Sequence, residues 1–165
     1  MTSNFLECAI YLLVTGIIGF ISGRIISAKI PLVDSLIFRC FDFEQDGKIY
    51  EKLGIRHWQN RLPDMSRILP FIMPRKKLGS DYKERLPEMI QETCVAELIH
   101  LLHAVFGLYC IRLWPNWGGI IFALVNVALF NLPFIVIQRF NRPRLLKIYK
   151  RKSQSTKKEL SSCAH

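Results

Sequence analysis

The sequence lacks the signatures of several common enzyme classes. It contains no G-x-S-x-G nucleophile motif, no phosphate-cradling glycine loop and no H-E-x-x-H metal motif. None of His57, His100 and His103 is followed by an aspartate five residues later, the arrangement that soluble-type glycerolipid acyltransferases require. These absences argue against the familiar hydrolase, nucleotide-binding and zinc-protease chemistries.

Neither the cysteines nor the spacing of possible metal ligands indicates a disulfide framework or a metal site. The five cysteines form no C-x-x-C pair and no even set, so we expect buried thiols instead of a disulfide scaffold or zinc ribbon. The motif Glu97-x-x-His100 occurs once, whereas a di-iron bundle needs two such motifs and further carboxylates. The sequence therefore predicts no metal site.

What the sequence does contain is long apolar blocks. Half of its 165 residues are hydrophobic, and residues 5–23, 95–113 and 117–138 approach the roughly 20 apolar residues that span a bilayer. The first block differs from a secretory signal because no Lys or Arg precedes it and it carries Glu7. The predicted fold class is an all-α integral membrane protein with three transmembrane helices and a membrane-hugging cytoplasmic loop.

The predicted organisation has four parts. Residues 1–24 form transmembrane helix 1, 25–86 a cytoplasmic interfacial loop, 87–150 transmembrane helices 2 and 3 with a basic exit segment, and 151–165 a disordered basic tail. Apolar stretches at 25–38 and 68–73 are too short to span, so we expect them to lie in the interface. Pro87 is predicted to be the first residue of a helix reaching Leu113.

The Lys and Arg distribution predicts the orientation. Of 23 such residues, thirteen lie between the first two spans, one lies in the turn between the second and third, and nine follow the third. The positive-inside rule therefore predicts a multi-pass cell-membrane protein with its N-terminus outside and its C-terminus cytoplasmic. The basic residues follow the membrane edges, which favours contact with anionic lipid and disfavours nucleic acid as a partner.

Ionisable residues inside the spans are the candidate functional groups, because a bilayer makes them costly. Glu97 and His100 lie three residues apart on one helix face, and His103 continues that row. Such a pair has two interpretations, a catalytic dyad or an interhelical hydrogen bond that holds the spans together. Near the cytoplasmic leaflet, one site could combine Glu92, Glu97, His100, Asn131, Gln138 and Arg139.

Five motifs resemble a known family, the glycosyl-4,4'-diaponeurosporenoate acyltransferases, over residues 35–148. They are Phe41-Asp42-Phe43-Glu44-Gln45-Asp46-Gly47-Lys48, Ile55-Arg56-His57-Trp58-Gln59-Asn60, Glu92-Thr93-x-x-Ala96-Glu97-Leu98-Ile99-His100, Asn131-x-Pro133 and Gln138-Arg139-Phe140-Asn141-Arg142-Pro143-Arg144-Leu145. The resemblance implies a membrane O-acyltransferase that moves a fatty acyl chain to a sugar hydroxyl of a glycosylated carotenoid. A glycolipid or another lipid-linked sugar is an equally open acceptor.

Acyl transfer from a thioester needs a base for the hydroxyl proton and donors for the oxyanion. We expect His100 to be the base and Glu97 its orienter, while Asn131, Gln138 or a backbone N–H serves the oxyanion. Arg139 and Arg142 are expected to hold the phosphates of acyl-CoA or the acidic face of an acyl carrier protein. The remaining substrate-binding candidates are Glu92, Trp58, which would line the route of the acyl chain or sugar, and Asn141.

The expected acyl donor is thus acyl-CoA or acyl carrier protein, with no tightly bound cofactor. The expected partners are membrane lipid and a polar lipid or glycolipid acceptor, and a homo-oligomer is compatible with the sequence. Two other function classes stay open. One is a small lipid-modifying methyltransferase-like enzyme, whose product would be labelled from S-adenosylmethionine, and the other is a non-catalytic member of a lipid-synthesis complex.

Overall fold

The computed structural model describes residues 2–62 and 82–162, and every regular element within them is helical. The helices are α1 (Thr2–Lys29), α2 (Lys48–Glu51), α3 (Ile55–Trp58), α4 (Tyr82–Gly107), α5 (Cys110–Leu113), α6 (Trp117–Val125) and α7 (Leu132–Ser162). A π-helical segment, Asn126–Asn131, joins α6 to α7, and 3₁₀ turns occur at Leu36–Phe38, Asp42–Gly47 and Gln59–Arg61. The all-α prediction is confirmed.

Three helical stretches are long and apolar enough to cross a membrane. They are Ser3–Lys29, Glu84–Leu113 and Trp117–Gln154, each of which contains one of the three apolar blocks of the sequence. Their outer surfaces expose many large hydrophobic side chains, among them Leu13, Val105 and Leu124. Apolar exposure on this scale is expected where lipid, not water, surrounds the protein.

Helix α1 packs closely on α4. A side chain at Gly19 or Gly23 would bring its Cβ to 3.2 or 3.1 Å from Ile99, so the two small residues allow this approach. The helix continues past residue 24 to Lys29, and its last turns carry Arg24, whose guanidinium lies 2.5 Å from Glu92 of α4. The first span is therefore tied to the second by shape and by charge.

The start of α4 differs from the prediction. Pro87 is not the first residue of the helix, which begins five residues earlier at Tyr82. The earlier turn is stabilised because Leu86 is completely buried, and a proline near a helix start removes only one backbone hydrogen bond. The apolar stretch at 68–73 lies outside the described residues.

The third span begins where the Asn116 side chain accepts a hydrogen bond from the Gly118 amide at 2.9 Å, a typical N-cap. Its last helix does not end at residue 150 but continues to Ser162, so residues 151–162, predicted to be disordered, are helical. Extending an existing helix needs no new nucleus, and Gln, Lys and Glu are good helix formers. Residues 163–165 lie outside the described part of the chain.

The described residues between α1 and α4, 30–62, pack against α7, and Leu32 also contacts Gln91 of α4. Its 3₁₀ turn Asp42–Gly47 contains three consecutive residues of positive φ, namely Gln45, Asp46 and Gly47. Gly47 has a φ of +85°, and a Cβ there would lie 3.2 Å from the Phe140 carbonyl oxygen, so only glycine fits. This turn places the Glu44 carboxylate against Arg139 of α7.

Candidate active site

Polar side chains line the contact between α4 and the third span in two adjoining groups. The first, which we call the arginine–carboxylate cluster, consists of Glu44, Glu97, Arg139 and Arg142. The second, the histidine–asparagine cluster, consists of His100, His103, Asn126 and Asn131. His100 lies one helical turn beyond Glu97 on α4, so the two clusters form one continuous polar seam.

Arg139 bridges the two carboxylates of its cluster. Its Nε lies 2.5 Å from Glu44 Oε1, one terminal nitrogen lies 2.6 Å from Glu97 Oε1, and the other lies 3.0 Å from Glu44 Oε2. The latter nitrogen also donates to the Arg39 carbonyl at 3.2 Å. Both carboxylates are only 1% exposed, so these are desolvated, charge-assisted hydrogen bonds.

Arg142 is more deeply buried and is bound entirely within the fold. Its Nε donates to Thr93 Oγ1 at 2.9 Å and its terminal nitrogens donate to the carbonyls of Phe38 and Thr93 and to Glu97 Oε2, the last at 2.5 Å. Arg139 and Arg142 thus each donate four hydrogen bonds to protein acceptors, which stabilise the fold. The expectation that these guanidiniums hold the phosphates of an acyl donor stays a prediction.

Glu44 is held as a carboxylate by its surroundings. Burial alone would raise its pKa, but hydrogen bonds from Arg139, Tyr50 and the Phe41 amide lower the pKa from 4.5 to about 2. Burial and the same contact raise the pKa of the Tyr50 hydroxyl to about 12, so Tyr50 stays a donor. In formal charge, the two carboxylates of the cluster balance its two guanidiniums.

The histidine–asparagine cluster is centred on Asn131, which is completely buried. Its Nδ2 donates to the Asn126 carbonyl at 2.8 Å and lies 3.1 Å from Asn126 Oδ1. Its Oδ1 faces Nδ1 of His100 at 3.1 Å and Nδ1 of His103 at 3.3 Å. Both asparagines belong to the π-helical segment, a distortion that is frequent at functional sites.

The structure changes the expected partner of His100. Glu97 and His100 do face the same helix, but the Glu97 oxygens accept hydrogen bonds from Arg139 and Arg142. The His100 ring is stacked on Phe134, with ring centroids 4.8 Å apart and planes 6° apart, while its Nδ1 faces Asn131. The structure thus adds Asn131 as a partner of His100, and orientation of the imidazole by Glu97 stays a prediction.

The other candidate residues are placed apart from these contacts. Glu92 faces α1, where Arg24 and Ser27 donate to it at 2.5 and 2.6 Å. The Trp58 indole donates to the Leu53 carbonyl at 3.0 Å within its own segment. Gln138 is buried and Asn141 half-buried on α7.

A shallow, open depression with a cavity volume of only about 20 Å³ adjoins the arginine–carboxylate cluster. It is lined by Phe38, Arg39, Cys40, Glu44, Arg139, Arg142, Pro143 and Leu146. Arg39 and Cys40 are exposed there, and burial together with Glu44 raises the pKa of the Cys40 thiol, which makes it a poor nucleophile. In the described residues, no group of three or more His, Cys, Asp or Glu side chains could hold a metal ion.

Comparison with known proteins identifies the family. A family model described as glycosyl-4,4'-diaponeurosporenoate acyltransferase matches residues 34–151. The chain belongs to this family. A protein of that name from Staphylococcus aureus strain Newman is 32% identical over 126 residues, covering 72% of this chain and 73% of the relative. The same-named protein of strain bovine RF122 / ET3-1 is 29% identical over 154 residues, covering 89% and 90%. No solved structure matches the chain.

The region matched by the acyltransferase family contains every residue of both clusters. Sequence reasoning alone overlooked two of the groups that complete them, Glu44 and Thr93, although both lie in motifs that carry the family resemblance. A useful signal for Glu44 was its position directly after Phe41 and Phe43 in a short motif far from any span. Its carboxylate had no obvious partner nearby in sequence, because that partner lies 95 residues away.

Proposed function

We propose that this chain transfers a fatty acyl group from a thioester to a sugar hydroxyl of a glycosylated lipid, such as a carotenoid glycoside. Membership of the acyltransferase family supports the reaction class. The observation that carries the proposal to particular atoms is the His100 ring, held by stacking on Phe134 and by Asn131 within the seam between two spans. A fixed imidazole at a membrane-level polar seam suits proton transfer to or from a lipid-linked hydroxyl.

The proposed reaction uses His100 as the general base. The sugar hydroxyl oxygen attacks the thioester carbonyl carbon while His100 takes the hydroxyl proton. The C–S bond then breaks, an ester forms, and the imidazolium returns the proton to the leaving thiolate. Atoms and charges balance in these steps, and the reaction as proposed calls for no metal or redox cofactor.

The acyl donor in this proposal is acyl-CoA or acyl carrier protein. Because the donors of Arg139 and Arg142 are used within the fold, the cation best placed to meet a donor's phosphates is Arg39, exposed at the rim of the depression. The depression lies beside the cluster that includes Glu97, one turn from His100 on the same face of α4.

We further propose that the protein is a multi-pass protein of the cell membrane, with its N-terminus outside and its depression cytoplasmic. Twenty-two of the 23 Lys and Arg residues lie on the predicted cytoplasmic side, and one, Arg112, lies at the predicted outer end of α5, which supports this orientation. Both thioester donors are cytoplasmic molecules, so this orientation also brings the donor to the depression.

The test measures transfer of a labelled acyl group into membrane glycolipid by purified protein reconstituted in vesicles. His100→Ala should lower the rate by about a hundredfold or more, the usual contribution of a general base. His57→Ala is the matched control, since His57 is exposed on α3 and should keep full activity. Wild-type activity of a well-folded His100→Ala protein would show that His100 is not the base and would favour a structural role for this side chain.

A further inference from the structure

We propose that Asn131 is a positioning residue that fixes the tautomer of His100, so that Nδ1 carries the hydrogen and Nε2 carries the lone pair. This inference rests on the proposed function, in which His100 is the base. It assigns to Asn131 a task different from oxyanion binding.

The first step is that the Asn131 side-chain amide has only one consistent orientation. Its nitrogen lies 2.8 Å from the Asn126 carbonyl oxygen, a group that only accepts hydrogen bonds. The amide must therefore point its NH₂ at Asn126 and its oxygen at the histidines. The backbone of the π-helical segment, not a mobile side chain, sets this orientation.

The second step concerns His100 itself. Asn131 Oδ1 is an acceptor, so the His100 Nδ1 that lies 3.1 Å away must be the donor. In the neutral ring, the hydrogen then sits on Nδ1 and the basic lone pair on Nε2. Stacking on Phe134 limits rotation of the ring, which preserves this direction.

The third step excludes His103 as a competing donor in its neutral form. Its Nε2 lies 3.1 Å from the Leu12 carbonyl oxygen and must donate to it, so the neutral His103 ring presents a lone pair at Nδ1. The 3.3 Å contact of that nitrogen with Asn131 Oδ1 is then not a hydrogen bond. The oxygen is left to His100.

An amide suits this task because it carries no charge. A carboxylate in the same place would add a desolvated negative charge within a span, which is costly. Glu97, the charged candidate, is neutralised by two arginines. Asn131 therefore fixes the tautomer while leaving the seam electrically balanced.

The direct test is ¹⁵N NMR of histidine-labelled protein in nanodiscs, with the His100 signals assigned through His100→Gln. The wild-type neutral ring should show a protonated Nδ1 and an unprotonated Nε2, the reverse of the form that predominates in free histidine. Asn131→Ala should shift His100 toward the Nε2–H form and lower kcat by about 10- to 100-fold, with little change in KM. Asn126→Ala is the control, because its backbone carbonyl still holds Asn131, and it should keep the wild-type tautomer.

The outcomes separate this inference from the function on which it rests. If His100→Ala is inactive but wild-type His100 carries its hydrogen on Nε2, the inference alone fails. The same holds if folded Asn131→Ala keeps the wild-type tautomer and kcat. If His100→Ala transfers acyl groups at the wild-type rate, His100 is not the base and this inference fails with that assignment, whereas a wild-type protein without acyl transfer would overturn the proposed function itself. The wild-type spectrum decides the tautomer even if Asn131→Ala does not fold.

Discussion

Replacing Glu44 by Gln should lower the stability of the protein at neutral pH and remove part of its acid sensitivity. Glu44 is 1% exposed and accepts hydrogen bonds from Arg139 at 2.5 and 3.0 Å, from Tyr50 and from the Phe41 amide. These contacts favour the ionised carboxylate in the folded state only. Protonation therefore costs folded-state stability, and glutamine lacks the charge at every pH.

The size of the effect follows from the pKa. The contacts lower the pKa of Glu44 from 4.5 to about 2. A difference of one pKa unit corresponds to 1.36 kcal/mol, so the ionised group contributes about 3 kcal/mol. Because the folded-state pKa is the lower one, this contribution is complete above pH 4.5 and is lost as the pH falls toward 2. For a chain of this size it corresponds to roughly 6–12 °C in melting temperature.

The assay is thermal unfolding of detergent-solubilised protein from pH 7 to pH 2.5, followed by intrinsic fluorescence. Wild type and Glu44→Gln should differ most at pH 7 and converge below pH 4.5. Glu51→Gln is the matched control: Glu51 also binds two arginines, Arg56 and Arg144, but on the exposed surface, so its removal should hardly change the melting curve. Equal melting of wild type and Glu44→Gln at pH 7 would refute the assignment of Glu44 to a buried, ionised site.

Two further predictions concern Glu97 and the orientation. Glu97→Gln leaves Arg139 and Arg142 without their shared counter-charge and should destabilise the protein by about 3 kcal/mol. The same unfolding assay measures this loss. A variant that is fully stable but inactive would instead favour a catalytic role for Glu97. Reporter fusions should give an external signal for a tag after Asn4 and a cytoplasmic signal for a tag after residue 165, and the opposite pattern would move the depression away from cytoplasmic acyl donors.

The spans could be predicted from the sequence because they depend on local composition. Each apolar block gives a helix wherever it lies in the chain, and the spacing of Glu97 and His100 places both side chains on one face. That face does meet the third span, as the contacts with Arg139 of α7 and Asn131 of the π-helical segment show. Local periodicity therefore indicated which groups belong to the site.

The pairing of these groups could not be predicted, because it depends on tertiary structure. Glu97 lies 42 and 45 residues from its two arginines, and nothing in the spacing distinguishes them from His100 as partners. Glu44 reaches the cluster only because three successive residues of the following turn adopt positive φ and Gly47 allows contact with α7. Two of these three residues, Gln45 and Asp46, are not glycine, so the sequence gives no signal for a turn of positive φ.

The position of the arginine–carboxylate cluster bears on the chemistry proposed for His100. An acyl group that reaches the base can be captured by water as well as by a sugar hydroxyl, so a transferase must limit water at that point. The cluster closes the contact between α4 and α7 on the side of the depression, where Glu97 and Arg142 are 1% and 4% exposed. It does so with balanced charges, which makes burial near a membrane boundary tolerable. Loss of the cluster should therefore raise hydrolysis of the thioester relative to acyl transfer, a ratio measured by counting labelled free fatty acid and labelled glycolipid from the same reaction.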